Sequence, residues 1–145
     1  QTSISGDLLA DGSKENRSYF GKTSKVLNES DLDAFERARD AIAASGKDIP
    51  LITVLKASNA TIPAEFEADS DALIVGFGTS DAALLDVALG LHEPKGRLPI
   101  QFPANMDTVE AQLEDVAKDM TPYTDADGNT YDYGFGLNYS GVISE

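Results

Sequence analysis

The chain has 145 residues, of which 41% are hydrophobic and 25% charged, and this composition is typical of one globular domain rather than of a disordered segment. Asp and Glu number 25 against 11 Lys and Arg, a net charge of -14 that argues against a phosphate backbone as partner. No apolar run approaches the roughly 20 residues of a membrane helix, and the lack of cysteine excludes disulfides and thiolate chemistry.

The beginning of the chain predicts a loop followed by a helix. Residues 1–27 are polar and rich in Gly, Ser and Asn, which favours a long loop. Because the chain opens on Gln1 rather than Met, we interpret it as a piece of a longer protein. A helix is predicted over residues 31–45, with Ser30 as its N-cap and Gly46 as its stop.

Two strands and a second helix are predicted next. "PLITVLKAS" and "DALIVGFG" are nearly continuous apolar runs, which is typical of strands buried on both faces. The connection "TIPAEFEADSD" between them is expected to hold at most a short helical turn. "TSDAALLDVALG" predicts a helix capped by Thr79 or Ser80 and ended by Gly90. This order of elements predicts an open α/β fold with a mostly parallel sheet.

The segment "EPKGRLPIQFP" after this helix is interrupted by several proline and glycine residues. Leu98, Ile100 and Phe102 alternate with other residues as in a strand. Pro99 within the run predicts that the strand lies at the edge of the sheet, where a residue need not donate a hydrogen bond. Residues 105–145 carry turns, acids and tyrosines and are expected to wrap the surface of the domain.

Several stretches resemble ligand-binding or metal-binding motifs but do not match them fully. "GFGTSD" has Asp81 where a dinucleotide fingerprint needs its third glycine, so a tight strand-to-helix turn is the better interpretation. "DADGNTYD" does not have the spacing of an EF-hand loop and predicts a hairpin turn at Asp127-Gly128, with a cation site of another kind left open.

His92 is the single histidine and is expected to face solvent or to form a hydrogen bond within a loop. A receiver-like domain requires an Asp at the end of a buried strand, and neither of the predicted strands ends in one. We expect no metal and no cofactor.

The stretch "DALIVGFGTSDAALLDVALGLHEPKGRLPIQFPANMD", followed by "YDYGFGLNYSGVI", resembles glycoside hydrolase family 3, in particular the C-terminal α/β sandwich domain of its β-glucosidases. Residues 93–103 match the N/E-P-x-G-[RK]-L-P-x-x-F-P signature of the family, and "YDYGFGLNYS" resembles its Y-x-Y-G-x-G-L ending. "SISGD" and "ENRSYFGKTS" look like a subset of bacterial members.

The resemblance implies a three-layer α/β/α sandwich, flavodoxin-like and with a mostly parallel sheet, as an N-terminally truncated piece. Residues 1–145 then form a single domain: residues 1–27 are the leading loop, 28–104 the helix-strand core and 105–145 the wrapping C-terminal segment. The barrel domain that precedes this domain in the family is absent from the sequence.

The family hydrolyses terminal, non-reducing β-linked sugars with retention, using an Asp nucleophile on that barrel. The resemblance therefore implies a domain that completes the substrate pocket of a barrel in the same polypeptide, binds a glycoside or oligosaccharide there, and is inactive alone. The alternative is a stand-alone saccharide-binding or interaction module with the same fold, because a fold does not certify a function.

The resemblance also names candidate site residues. The family's acid/base is usually a Glu on a loop before a helix such as the one predicted at residues 31–45, and "DLLADGSKENRSYFGK" is the nearest counterpart. Glu15 is the first candidate for the acid/base and Asp11 the second, and Arg17 and Tyr19 would line the same mouth as substrate-binding residues. A plain surface loop is the alternative, with the acid/base before Gln1. Sugar specificity, compartment and oligomeric state are left open.

Overall fold

The computed structural model describes residues 17–19, 22–24, 29–113 and 115–144. The helices are α1 (Glu29–Ser45), α2 (Asp81–Ala88) and α3 (Met106–Ala111), with 3-10 turns at Pro63–Glu65 and Glu67–Asp69. The strands are β1 (Arg17–Tyr19), β2 (Lys22–Ser24), β3 (Ile52–Ala57), β4 (Ala72–Phe77), β5 (Leu137–Asn138) and β6 (Gly141–Val142). They form three two-stranded pairs, β1 with β2, β3 with β4, and β5 with β6.

No helix in the described part of the chain is long and apolar enough to cross a bilayer.

Helix α1 begins earlier than its sequence pattern predicts. It starts at Glu29, so Ser30 already lies inside the helix and its predicted role as N-cap is wrong. The predicted end is confirmed, because Gly46 adopts a φ of +63° and its N–H donates to the carbonyl of Ala43 at 3.3 Å. A positive φ is accessible to glycine without steric cost, which is why the helix stops here.

Strands β3 and β4 form the predicted parallel pair, in a register that runs from Ile52 opposite Ala72 to Ala57 opposite Phe77. On one face of the pair, Leu55 and Leu73 pack against a buried cluster of Leu32 and Phe66, which joins α1 to the connection between the strands. The described residues therefore form a small mixed α/β domain. The larger three-layer sandwich stays a prediction.

The prediction that both strands are buried on both faces is wrong for β3. Ile52 and Val54 are 40% and 39% exposed. Successive side chains of a strand point to opposite faces, so these two lie on the face away from Leu55. Helix α2 covers that face over β4, where Leu84 meets Gly76, and it leaves the same face of β3 open to solvent.

The predicted turn and cap before α2 are confirmed. Gly78 has a φ of +65° in the turn that follows β4, and the Ser80 side chain accepts a hydrogen bond from the N–H of Ala83 at 3.4 Å. Gly90 has a φ of +72° just beyond the helix. The cap satisfies one of the N–H groups that a helix start leaves without a partner.

The prediction that residues 98–102 form an edge strand of the sheet is wrong. Leu98 donates its N–H to the carbonyl of Phe135 at 2.7 Å and accepts from the N–H of Gly134 at 2.8 Å. These hydrogen bonds bind the segment to the C-terminal tail instead of to β4. Pro99 and Pro103 cannot donate, so the pairing stays interrupted and no regular strand forms.

The C-terminal tail does more than wrap the surface, because it supplies part of the core. Tyr131 is 8% exposed, and its carbonyl accepts from the N–H of Phe102, which is fully buried. The Phe102 ring packs edge-on against Phe77 of β4 at a centroid distance of 6.3 Å. Phe102 therefore connects the sheet to the tail.

The hairpin turn at Asp127-Gly128 is confirmed. Gly128 has a φ of +86°, and Thr124 and Thr130 face each other in an antiparallel bridge. The Asp125 carboxylate accepts from the N–H groups of Asp127 and Asn129 at 3.0 and 2.8 Å. The acidic residues of this motif thus stabilise a turn.

A close crossing of two backbone segments predicts unequal effects at two glycines. A Cβ on Gly136 would lie 2.5 Å from the carbonyl oxygen of Gly96, whereas a Cβ on Gly96 would meet nothing within 4 Å. We expect Gly136→Ala to lower the free energy of unfolding by about 1–3 kcal/mol and Gly96→Ala to change it by less than about 0.5 kcal/mol. Urea denaturation measures both, and equal losses would contradict the crossing.

Candidate functional site

The carboxyl ends of β3 and β4 lie at one edge of the sheet, because the strands are parallel. Ligands of open α/β sheets bind outside this edge. Here Lys56, near the end of β3, donates to Asp81, the first residue of α2, with 2.7 Å between Nζ and Oδ1. Both side chains are exposed. Asp81 is also favoured by its place in the first turn of a helix.

This ion pair can bind a polar ligand, but it supplies a single carboxylate that is already paired. Cleavage of a glycosidic bond needs two carboxyl groups about 5–9.5 Å apart. An exposed pair also contributes only about 0–1 kcal/mol to stability, so its location is more informative than its strength. The pair suits positioning of hydroxyl groups rather than bond cleavage on its own.

Helix α1 also begins at this edge. Residues 46–51 join its end to the start of β3, and so short a connection makes the helix run antiparallel to the strand. Arg39 in the middle of α1 bonds Asp69 just before β4, at 2.8 Å between Nη1 and Oδ2. The first turn of α1 therefore lies towards the edge that carries Lys56 and Asp81.

The predicted site residues precede α1, and their side chains fall outside the described residues. Glu15 and Asp11 lie outside them entirely. For Arg17 and Tyr19 the structure describes the backbone only, as part of β1, which pairs with β2 and lies beside α3. Their roles as acid/base and substrate-binding residues remain predictions.

A cavity of about 460 Å³ lies along the edge of β4 that faces away from β3, and we call it the β4 groove. Its walls are mostly apolar and come from β4, α2, the segment after α2 and the tail. They are formed by Leu73, Ile74, Val75, Phe77, Thr79, Ala83, Leu84, Val87, Glu93–Leu98, Tyr131 and Phe135–Leu137. Its volume lies within the range of about 300–1,000 Å³ that small-molecule pockets occupy.

No group of three or more His, Asp or Glu side chains in the described part of the chain is placed to hold a metal ion. His92 is exposed, as predicted. Its carbonyl accepts from the Tyr139 hydroxyl at 3.0 Å, and this contact ties the turn after α2 to the tail.

A carboxylate clasp holds the tail hairpin against the connection between the strands. The Tyr123 hydroxyl donates to Oε2 of Glu67 at 2.9 Å, and the Tyr131 hydroxyl donates to Oε1 at 3.2 Å. Burial, together with the hydrogen bond to Glu67 and the charge of Glu67, raises the pKa of Tyr123 to about 12. Burial raises the pKa of Tyr131 as well, and the charge of Glu67 adds to it.

The clasp predicts a loss of stability in alkali. The pKa of Tyr123 lies above its ordinary value of 10, so the folded state holds this proton more tightly than the unfolded state. The corresponding stability is fully present below pH 10 and is lost as the pH rises towards about 12. Between pH 10 and about 12, we expect the free energy of unfolding to fall less in Tyr123→Phe than in the parent chain. Denaturant titrations at a series of pH values measure the free energy of unfolding of both proteins. An equal fall in the two proteins would contradict the clasp.

These features define a small mixed α/β domain whose carboxyl edge carries an exposed ion pair and whose β4 edge borders a cavity. Comparison with known proteins gives a more particular result. The chain is 34% identical over 108 residues to beta-glucosidase C of Emericella nidulans, an alignment that covers 74% of this chain and 16% of that protein. It is 32% identical over 105 residues to the probable beta-glucosidase C of Aspergillus oryzae and to that of Aspergillus flavus.

The chain spans about one sixth of the length of the curated relatives that it matches. No family model matches it, and no solved structure matches it significantly. The three relatives are fungal, so they lend no support to the bacterial likeness expected for the first part of the chain. Similarity to proteins named beta-glucosidase indicates a glycoside hydrolase relationship.

Proposed function

We propose that this chain is the C-terminal α/β sandwich domain of a family 3 type β-glucosidase. In this proposal the whole protein is a retaining, exo-acting glycosidase of terminal, non-reducing β-linked sugars, and the chain completes the pocket of a catalytic barrel in the same polypeptide. The observation that carries the proposal is the identity of 32–34% to three proteins named beta-glucosidase C, over about three quarters of the chain. A barrel needs about 250 residues, and these relatives are long enough to hold one.

An exposed apolar stripe supports a domain that packs against further protein. Asp81 of α2 contacts Lys56 of β3, and residues four apart on a helix lie on one face. Leu85 therefore follows Asp81 on the helix and Leu89 caps the end of the helix, as Val54 and Ile52 follow Lys56 along the strand. These four apolar side chains are 39–70% exposed. Such a stripe marks a surface that another element covers.

The free edge of β3 supports the same proposal. Among the described strands, β3 pairs with β4 alone, and parallel sheets are usually larger and covered on both faces. A strand joined to β3 through α1 by a right-handed crossover would lie on that free edge. The flavodoxin-like sandwich that the resemblance implies has a place for such a strand.

The proposed chemistry divides the two carboxyl groups between domains. The nucleophile on the barrel attacks the anomeric carbon, while the acid/base on this domain protonates the leaving oxygen and then activates water. We assign the acid/base to Glu15, with Asp11 as the second candidate, and we place Arg17 and Tyr19 at the mouth of the pocket. Since the nucleophile lies elsewhere, the 145-residue chain alone is expected to be inactive.

The acid/base assignment is tested in the whole gene product that contains this chain. We expect Glu15→Gln to lower kcat for an alkyl β-glucoside by a factor of about 100 to 10,000. The loss should be smaller for a nitrophenyl β-glucoside, whose leaving group needs little protonation, and azide should restore turnover by replacing water in the second step. Asp48→Asn, at an exposed carboxylate after α1, is the control, and Asp11→Asn tests the second candidate.

The outcomes distinguish a wrong acid/base assignment from a wrong proposal that the whole protein is a glycosidase. Unchanged kinetics for Glu15→Gln, with loss and azide rescue for Asp11→Asn, would move the role to Asp11. A whole gene product without any glycosidase activity would overturn the function itself, and measurable saccharide binding would then favour the stand-alone binding module.

A further inference from the structure

Lys56 and Asp81 place a hydrogen-bond donor and an acceptor side by side at the carboxyl edge of the sheet. The ammonium group of Lys56 has three N–H donors, and its bond to Oδ1 of Asp81 at 2.7 Å uses one of them. The same bond leaves Oδ2 of Asp81 as an acceptor. The two side chains are 61% and 77% exposed, so a ligand can reach the pair without separating it.

The chemistry of this edge suits the hydroxyl groups of a sugar. Ser58 and Asn59 follow β3 and Ser80 precedes Asp81, and all three residues are exposed. Neighbouring hydroxyl groups of a sugar ring can each donate and accept, so they can bond to a fixed donor and a fixed acceptor at the same time. An aryl or alkyl group offers no such partners, and covering charged groups without replacing their hydrogen bonds to water is costly.

The place of the proposed acid/base determines which sugar of a substrate meets this edge, so this inference rests on the proposed function. In a retaining glycosidase the nucleophile faces the anomeric carbon and the acid/base faces the leaving oxygen. The acid/base is proposed to precede α1, whose first turn lies towards the edge that carries Lys56 and Asp81. The group attached to the leaving oxygen therefore lies on the side of this domain, and the glucosyl ring that is cleaved off lies on the side of the barrel.

We propose that Lys56 and Asp81 bind the sugar on the leaving-group side of the scissile bond. Lys56 donates to one hydroxyl group of this sugar, and Asp81 accepts from a neighbouring hydroxyl group. The ion pair holds both side chains in one arrangement before the sugar arrives, which lowers the conformational entropy lost on binding. The preferred substrates are then β-linked glucose disaccharides and oligosaccharides rather than aryl or alkyl glucosides.

The test compares two kinds of substrate of the whole gene product. Methyl β-glucoside and the β-linked glucose disaccharides share the glucosyl ring and an alkoxide type of leaving group, but only the disaccharides carry a second ring. Lys56→Met keeps the length of the side chain and removes its charge. We expect it to lower kcat/KM for the best disaccharide about 10- to 100-fold and to leave kcat/KM for methyl β-glucoside within about twofold of the parent value. Asp81→Asn should show the same preference with a smaller loss, because one acceptor oxygen remains.

An ion pair away from the carboxyl edge provides the matched control. Arg39 in the middle of α1 bonds Asp69, which lies before the start of β4, at 2.8 Å, so Arg39→Met should change kcat/KM for neither kind of substrate. An equal loss on both substrates in Lys56→Met, or no loss on either, would overturn the inference and leave the proposed function intact. A whole gene product that hydrolyses neither substrate would overturn the proposed function and the inference with it.

Discussion

Replacing Phe102 with alanine is expected to lower the free energy of unfolding by about 3–5 kcal/mol, the cost of deleting a large aromatic side chain from a packed core. Phe102 is fully buried, and its ring contacts Phe77 of β4 while its main chain bonds to Tyr131 and Tyr123 of the tail. Its removal leaves a cavity where the sheet and the tail meet. Urea denaturation followed by far-ultraviolet circular dichroism measures the loss.

The control for Phe102 is an apolar side chain of the exposed stripe. Leu89 is 70% exposed, so Leu89→Ala should change the free energy of unfolding by less than about 0.5 kcal/mol. If Phe102→Ala were no more destabilising than Leu89→Ala, the tail would not be part of the core.

Replacing Glu67 with alanine is expected to cost about 2–4 kcal/mol, because two tyrosine hydroxyls lose a charged acceptor. Glu67 accepts from Tyr123 and from Tyr131, and Tyr131 is largely buried. A buried hydroxyl left without a partner is more costly than a lost hydrogen bond at the surface. Glu67→Gln keeps one acceptor oxygen and should lose about half as much.

A double-mutant cycle isolates the clasp from other effects of the substitution. In a background that carries Tyr123→Phe and Tyr131→Phe, the hydroxyls are already gone, so Glu67→Ala should be much less destabilising than in the parent chain. The same loss in both backgrounds would show that Glu67 acts through other contacts, and it would contradict the clasp.

Local signals predicted α1, α2 and the two parallel strands. They did not predict α3, which lies in the segment expected only to wrap the surface, or β1 and β2, which lie where a loop was expected. Ser80, Gly78 and Gly90 mark α2 through side-chain chemistry and backbone conformation that depend on neighbouring residues only. The apolar runs at residues 51–55 and 72–77 predicted β3 and β4, because nearly continuous apolar runs are typical of strands in parallel sheets. The first residue of α1 was harder to predict, because the acidic residues after Ser30 suit the first turn of a helix as well as the second turn.

Features that depend on distant partners could not be predicted in this way. The alternation of residues 98–102 is compatible with pairing to β4 or to the tail, and only the fold shows that Leu98 bonds to Gly134 and Phe135. The exposure of Ile52 and Val54 depends on how far α2 extends over the sheet.

The polar pair of the candidate site is non-local too. Lys56 and Asp81 are 25 positions apart, and no motif joins them. Their one shared signal is that each follows or ends a predicted strand of a parallel sheet, where ligands bind. The groups of the clasp, Glu67 with Tyr123 and Tyr131, are farther apart still, and the tyrosine-rich tail carried no pattern that pointed to a carboxylate.

The proposed function is tested by capturing the native protein with an antibody against this chain and by measuring both the β-glucosidase activity and the size of the captured protein. We expect hydrolysis of a nitrophenyl β-glucoside by a polypeptide that exceeds the 145 residues by at least the roughly 250 residues of a barrel. A captured protein of the size of this chain, without hydrolytic activity, would contradict the proposed function.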